Sequence, residues 1–254
     1  MDNVMRKSDE SGSEGGTLPL TIAARPEEGI GQEEKIYTRR FSEKQDLVRE
    51  QIWETLCKDY FQRFVLPSDT VLDIGAGDGL FLRHITAKRK IAVDLSSHVR
   101  ALSAHGIEVH EVSAASFTGS VTGKVDVIFM SNFLEHLPNK RILLDVLAEC
   151  RKALKDGGML MILQPNIRYV GSSYWDYIDH HIALTEHSLV EALEVSGYGV
   201  VKLVPRFLPY TAKSKLGRFA GLVDTAKLTS AYLRFPILWR IFGQQTFVVA
   251  SLRK

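Results

Sequence analysis

Apolar positions along this chain recur with two periods. Short apolar runs read as buried strands: Val71-Leu72-Asp73-Ile74, Lys90-Ile91-Ala92-Val93-Asp94, Ile107-Glu108-Val109-His110 and Val125-Asp126-Val127-Ile128-Phe129-Met130. Met159-Leu160-Met161-Ile162 and Gln245-Thr246-Phe247-Val248-Val249-Ala250 add two more. Leu47, Ile52, Leu56, Tyr60 and Phe64, with Trp53 beside them, instead recur at helical spacing. Ser42-Glu43-Lys44-Gln45 offers that leading helix a capping box, and covering one edge of a sheet is its expected task. Gly157-Gly158 is expected to cap the helix before the fifth strand and turn the chain. Strand and helix alternate through the core, which predicts an α/β fold: a doubly wound, Rossmann-like parallel sheet with helices on both faces. In such a sheet a ligand lies across the carboxyl ends of the first strands, where the strand order reverses.

The first strand carries the chemistry. Asp73-Ile74-Gly75-Ala76-Gly77-Asp78-Gly79 places a carboxylate at the strand end and three glycines at alternate positions, so the backbone can turn tightly and approach a ligand without Cβ obstruction. A dinucleotide fingerprint would require its third glycine at position 80, which is Leu80. Asp94, at the end of the second strand, is placed to accept hydrogen bonds from a ribose diol.

Composition narrows the class. The chain has 254 residues, 45% of them hydrophobic, enough for one substantial core. A net charge of +2 gives no electrostatic ground for nucleic-acid binding. Cys57 and Cys150 fall far apart in helical patterns and are expected to be reduced, buried thiols. Without a signal-peptide core or a run long enough to span a bilayer, the expected location is cytoplasmic. Residues 1–34 are rich in Ser, Gly, Glu and Asp and are expected to be disordered, leaving residues 35–254 as the folded domain.

The glycine loop, the Asp94-Leu95-Ser96 strand end and the run Ser131-Asn132-Phe133-Leu134-Glu135-His136 after strand four resemble, in this order, the motifs of class I S-adenosylmethionine-dependent methyltransferases. The resemblance covers about residues 68–163 well. It implies a seven-stranded sheet whose last strand inserts antiparallel beside strand five, with a helical cap inserted before that strand. It also implies S-adenosylmethionine as cofactor, held by Asp73, Gly75, Ala76, Gly77, Gly79, Asp94, Leu95, Ser113, Ala114, Ser131 and Asn132. Many relatives carry an acid where Ser113 stands, which leaves adenine recognition to a hydroxyl or to backbone groups. DNA-methylating relatives carry a D/N-P-P-Y type motif where this chain has Ser131-Asn132-Phe133-Leu134, which argues against a nucleic-acid substrate. The chain further resembles a bacterial subgroup associated with surface-polysaccharide or glycolipid synthesis.

Acceptor-side elements are expected at residues 164–184 and 206–240. In the first, Arg168, Tyr169, Tyr174, Trp175 and Asp179 would form a polar, aromatic wall suited to a ring or sugar. His136, His180 and His181 are the candidates for a base that deprotonates a hydroxyl acceptor. Asp176, Asp179, His180 and His181 have no recognised ligand spacing, so no metal is expected. Residues 202–240 set eight basic residues against Asp224, interleaved with apolar ones. Either this is a solvated cap over the site or it meets an anionic membrane or a lipid-linked acceptor. The expected reaction is methyl transfer, at oxygen, to a small-molecule, sugar or glycolipid acceptor. The alternatives are an NAD(P)-dependent oxidoreductase and an inactive cofactor-binding protein.

Overall fold

The computed structural model describes residues 43–210 and 224–253. The expected disordered segment, the capping serine Ser42 and the basic stretch 211–223 lie outside these residues. Seven strands form one sheet: β1 Thr70–Ile74, β2 Arg89–Asp94, β3 Glu108–Glu111, β4 Val125–Ser131, β5 Leu154–Pro165, β6 Tyr198–Val204 and β7 Gln245–Leu252. Their order is β3-β2-β1-β4-β5-β7-β6. The first five are parallel, with Leu72 aligned to Ile91 on one side and Ile128 on the other. The last strand, β7, runs antiparallel between β5 and β6, as the sequence leads one to expect. β1 is flanked by β2 and β4, so the order reverses there and a crevice opens at the carboxyl ends of β1 and β4.

Helices cover both faces because successive side chains of buried parallel strands point to opposite sides and both sets are apolar. From β4, Ile128 and Met130 join one core with Leu143, Val146, Leu147, Cys150 and Ala153 of helix α3 (Lys140–Ala153). Those α3 positions recur at three- and four-residue spacing, and Asn139 caps the helix by accepting the Ile142 N–H at 3.1 Å. Val127 and Phe129 join the opposite core with helix α1 (Glu43–Asp59), helix α2 (Leu80–His84) and helices α6 (Thr225–Arg234) and α7 (Pro236–Phe242). The connecting helices α4 and α5 are Ile167–Val170 and Glu186–Val195.

Three expectations change. Helix α1 lies on a sheet face, not an edge: Trp53 meets Phe129 edge-on at 6.2 Å, while Leu47 faces solvent. The helix ends at Asp59, and Tyr60 and Phe64 belong to the turn and short 3₁₀ helix (Phe61–Phe64) after it. Helix α3 is closed by Leu154 in extended conformation, and Gly157 turns the chain afterwards at φ 78°. The described C-terminal helices pack on the α1 face of the sheet. α6 packs along α1, Ser230 donating to Asp59 Oδ2 at 2.6 Å, and Phe207, Leu208, Tyr232 and Leu233 are core. Both cysteines are free and buried, as expected, and burial pushes both thiols up, away from the thiolate form.

One buried amide holds the ends of β5 and β7 to α5. Asn166 donates to Glu186 Oε2 at 2.6 Å and to Thr246 Oγ1 at 2.9 Å, and accepts the Arg168 N–H at 3.0 Å. Asn166→Ala leaves a buried carboxylate and a buried hydroxyl short of a donor. We expect it to lower the stability of the fold by about 2–4 kcal/mol, read from the urea unfolding midpoint.

Candidate active site

The crevice is floored by the glycine loop. Gly75, Gly77 and Gly79 have φ of 70°, 50° and 68°, the left-handed region that other residues enter at a cost. A Cβ on Gly75 would stand 2.4 Å from Phe133 Cδ2, and one on Gly79 would stand 2.6 Å from Leu102 Cδ1. The loop is fixed from β2: Gly75 N–H donates to Val93 O at 2.8 Å, and Gly77 N–H donates to Asp94 Oδ2 at 2.8 Å. The other carboxylate oxygen of Asp94 accepts the Ser96 N–H at 2.8 Å. Each oxygen can accept a second bond, so the half-buried carboxylate keeps capacity for two hydroxyls. Leu95 beside it is 49% exposed, an apolar surface at the rim on which a flat ring can lie. Arg49 of α1 reaches over the loop to Asp78 at 3.4 Å.

Asp73 sits under the loop, nearly enclosed, where burial and then the Asp94 carboxylate push its carboxyl well above the usual range. Ser113 spends its hydroxyl on its own turn, accepting the Ala115 N–H at 3.3 Å, and Ala114 is buried. A glycine-rich loop, a carboxylate with acceptor capacity left over and an exposed leucine together fit a nucleoside cofactor.

At the end of β4 the chain turns sharply. Asn132 has φ 48°, the one described non-glycine residue with positive φ; its N–H donates to Leu163 O at 2.8 Å and its amide to Ser131 Oγ at 3.1 Å. That turn puts Phe133 against Gly75 and starts the short helical turn Leu134–His136. The Glu135 carbonyl accepts the His181 N–H at 2.8 Å and the Ile182 N–H at 3.2 Å, which ties segment 164–184 to the end of β4.

The tie brings together residues 44 apart in sequence. The rings of His136 and His180 stand 5.1 Å apart, and Glu135 joins them: one donor atom from each of the three lies within 4.8 Å of the other two. His136 Nδ1 faces Asp179 O at 3.0 Å and Asp179 Oδ2 at 3.3 Å. His180 Nδ1 faces Tyr174 O at 2.8 Å, and its Nε2 lies 3.4 Å from the Tyr210 hydroxyl. Burial opposes protonation of His136, but the Asp179 hydrogen bond and the nearby Glu135 and Asp179 charges outweigh it and hold the imidazole above its ordinary value. Tyr177 stacks on His180 at 5.1 Å, and Tyr210 stands edge-on to Tyr177 at 5.9 Å.

The expected acceptor residues therefore separate. His136, His180 and Asp179 converge, whereas the His181 side chain is exposed and contributes its backbone N–H. Tyr174 is a core residue, not a wall residue: it is 1% exposed and its hydroxyl donates to Ile182 O. Trp175 is 56% exposed beside it. Arg168 pairs with Glu186 at 3.3 Å, and Tyr169 lies under Arg206 at 4.8 Å. Glu135 and Tyr210 were missed as candidates. The signal for Glu135 was an acid paired with His136 between Leu134 and Leu137.

A methyltransferase domain family model matches residues 48–203, more than half of the chain. No curated protein matches in sequence. Among solved structures, the chain is similar to a SAM-dependent methyltransferase from Archaeoglobus fulgidus, at 21% identity and TM-score 0.57, covering 80% of this chain and 94% of that one. It is similar to an S-adenosylmethionine-dependent methyltransferase from Clostridium acetobutylicum at 10% identity and TM-score 0.55, covering 89% and 98%. It is also similar to the plantazolicin methyltransferase BamL, solved with a triazolic desmethylPZN analog and SAH, at 15% identity and TM-score 0.59, covering 88% and 91%.

For the cofactor pocket, Asp94→Ala removes the ribose acceptor and one anchor of the glycine loop. It is expected to weaken S-adenosylhomocysteine binding by about 1.5–3 kcal/mol in titration calorimetry, about ten- to a hundredfold. Unchanged affinity would mean that the ribose is held elsewhere.

Proposed function

We propose that this chain, which belongs to the methyltransferase domain family and is an S-adenosylmethionine-dependent methyltransferase, methylates a hydroxyl of a small-molecule, sugar or glycolipid acceptor. The family leaves little room for the NAD(P)-dependent alternative. The observation that carries the reading is the convergence of Glu135, His136 and His180 just past β4, one turn from the Phe133–Gly75 contact at the cofactor loop. The cofactor supplies a methyl already activated on a sulfonium sulfur. What remains for the protein is to align the acceptor and to accommodate the hydroxyl proton released as its oxygen bonds the methyl carbon. Asp179 orients His136 from behind, and Tyr177 and Tyr210 offer ring faces and hydroxyls beside the histidines, a surface suited to a sugar or other ring. The association with polysaccharide or glycolipid synthesis rests on sequence resemblance and on this aromatic surround.

A lipid-linked acceptor is favoured by the rim. Phe235, Ile237, Ile241 and Phe242 are 45–60% exposed, with Arg234 and Arg240 between them. This rim adjoins the acceptor segments: Arg206 donates to the Ile241 and Gly243 carbonyls and lies over Tyr169. Apolar anchors ringed by arginine suit an anionic lipid surface, so contact with a membrane through 202–240 remains part of the proposal. No helix among the described residues is long and apolar enough to cross a membrane.

Two measurements test this. Incubation with methyl-labelled cofactor and fractionated lysate should place label in glycan or lipid fractions, and His136→Ala should slow it by about 10²- to 10⁴-fold. Label confined to protein or nucleic acid would sink the acceptor proposal. In co-sedimentation with anionic vesicles at low salt, the protein should pellet and Phe235→Ala/Ile241→Ala should not; failure of the parent protein to pellet removes the membrane element.

A further inference from the structure

Glu135, His136 and His180 present one carboxylate and two imidazoles within 4.8 Å, and the histidines are held in one tautomer. A carbonyl oxygen can only accept a hydrogen bond. The Tyr174 carbonyl therefore requires the proton of neutral His180 on Nδ1, and the Asp179 carbonyl and carboxylate require the same of neutral His136. In both rings this leaves the lone pair on the other nitrogen. An imidazole whose Nδ1–H is fixed by a carboxylate or a backbone carbonyl is how proteins orient a metal-ligating histidine. We propose that Glu135, His136 and His180 form a binding site for a divalent transition-metal ion, Zn²⁺ by its donor set.

The donor set is two nitrogens and one oxygen, as in catalytic zinc sites that keep a fourth position open. Ligand atoms on a shared ion at about 2.1 Å lie no more than about 4.2 Å apart, so closing the site takes side-chain shifts of about an ångström. Glu135 supplies the negative charge, and both Glu135 and His180 are buried, so the site is shielded from bulk water. The Tyr210 hydroxyl, now 3.4 Å from His180 Nε2, lies where it can bond a group in the open position. Asp176 and His181, which the sequence also offered, are exposed and outside the cluster.

This inference deepens the hydroxyl-acceptor reading and rests on it for the ion's role. An ion held here by Glu135, His136 and His180 would polarise an acceptor hydroxyl and ease the loss of its proton as the oxygen takes the methyl. The binding claim itself needs no acceptor.

The test uses untagged full-length protein, stripped with chelator and titrated with ZnCl₂ by calorimetry, with CoCl₂ absorption as a coordination readout. Saturable 1:1 binding is expected. Glu135→Gln and His180→Ala should each weaken it at least tenfold while His181→Ala leaves it unchanged. Asp179→Asn keeps all three ligands and should weaken binding about ten- to a hundredfold, which covers the case that a ligand variant fails to fold. Absence of saturable binding, or binding indifferent to Glu135→Gln and Asp179→Asn, overturns the site. Full-rate hydroxyl methylation by stripped protein overturns the ion's role while the acceptor reading stands. Metal binding with no hydroxyl acceptor labelled leaves the site standing and fails that reading instead.

Discussion

The carboxylate of Asp94 is the point on which the donor side hangs. It accepts Gly77 N–H from the first crossover with one oxygen and Ser96 N–H from the second with the other. Two loops are thereby set at one distance from each other, at the reversal in strand order. A carboxylate bonded to two backbone N–H groups is held in one orientation, which suits it to receive a ribose without reorganising. Glycine at 75 and 79 is the steric counterpart of the same constraint. Phe133 and Leu102 already occupy the space that a Cβ would need, so the loop is packed from behind as well as open in front.

The fold and the donor pocket were legible because their determinants are local. An apolar run followed by Asp73 and alternate glycines, or by Asp94, states both the strand and what its end presents. The seven-stranded sheet and the antiparallel β7 beside β5 came from the motif resemblance and hold in the structure. What local pattern misplaced was decided by packing at a distance. Leu47 has the right spacing for the buried stripe of α1 yet faces solvent, because the sheet face beneath that helix begins nearer Trp53 and Leu56. Gly157-Gly158 looks like a helix cap, but Leu154 leaves the helix earlier to pair with Val125.

The acceptor side was legible in composition and illegible in arrangement. Three histidines were named; two meet, and the third gives only its backbone, because the Glu135 carbonyl fixes the loop at His181 N–H and turns the side chain outward. Tyr174 and Trp175 are neighbours with opposite fates, one buried in the fold and the other exposed, and nothing in their spacing distinguishes them. Glu135 escaped notice because an acid next to a histidine reads as ordinary turn polarity. Its meaning depends on His180, a residue that only tertiary structure brings near.

Charge conservation links the two halves of the crevice. When a hydroxyl oxygen takes a methyl from a sulfonium, the carbon–sulfur bond breaks with its electron pair going to sulfur. The positive charge lost there reappears as the hydroxyl proton. A site for this reaction must therefore tolerate positive charge on the donor side before transfer and on the acceptor side after it. Acidic groups lie in both regions: Asp94 at the glycine loop, above the buried Asp73 whose carboxyl burial holds well above the usual range, and Glu135 with Asp179 at the histidines. Asn132 joins these regions, its left-handed backbone turning the chain from the end of β4 into Phe133 and then into Glu135 and His136. A residue able to hold that conformation is thus required twice, once to seat the aromatic ring against Gly75 and once to place the acidic, imidazole-bearing turn beside His180. One peptide thereby sets both the aromatic contact at the cofactor loop and the Glu135–His136–His180 cluster.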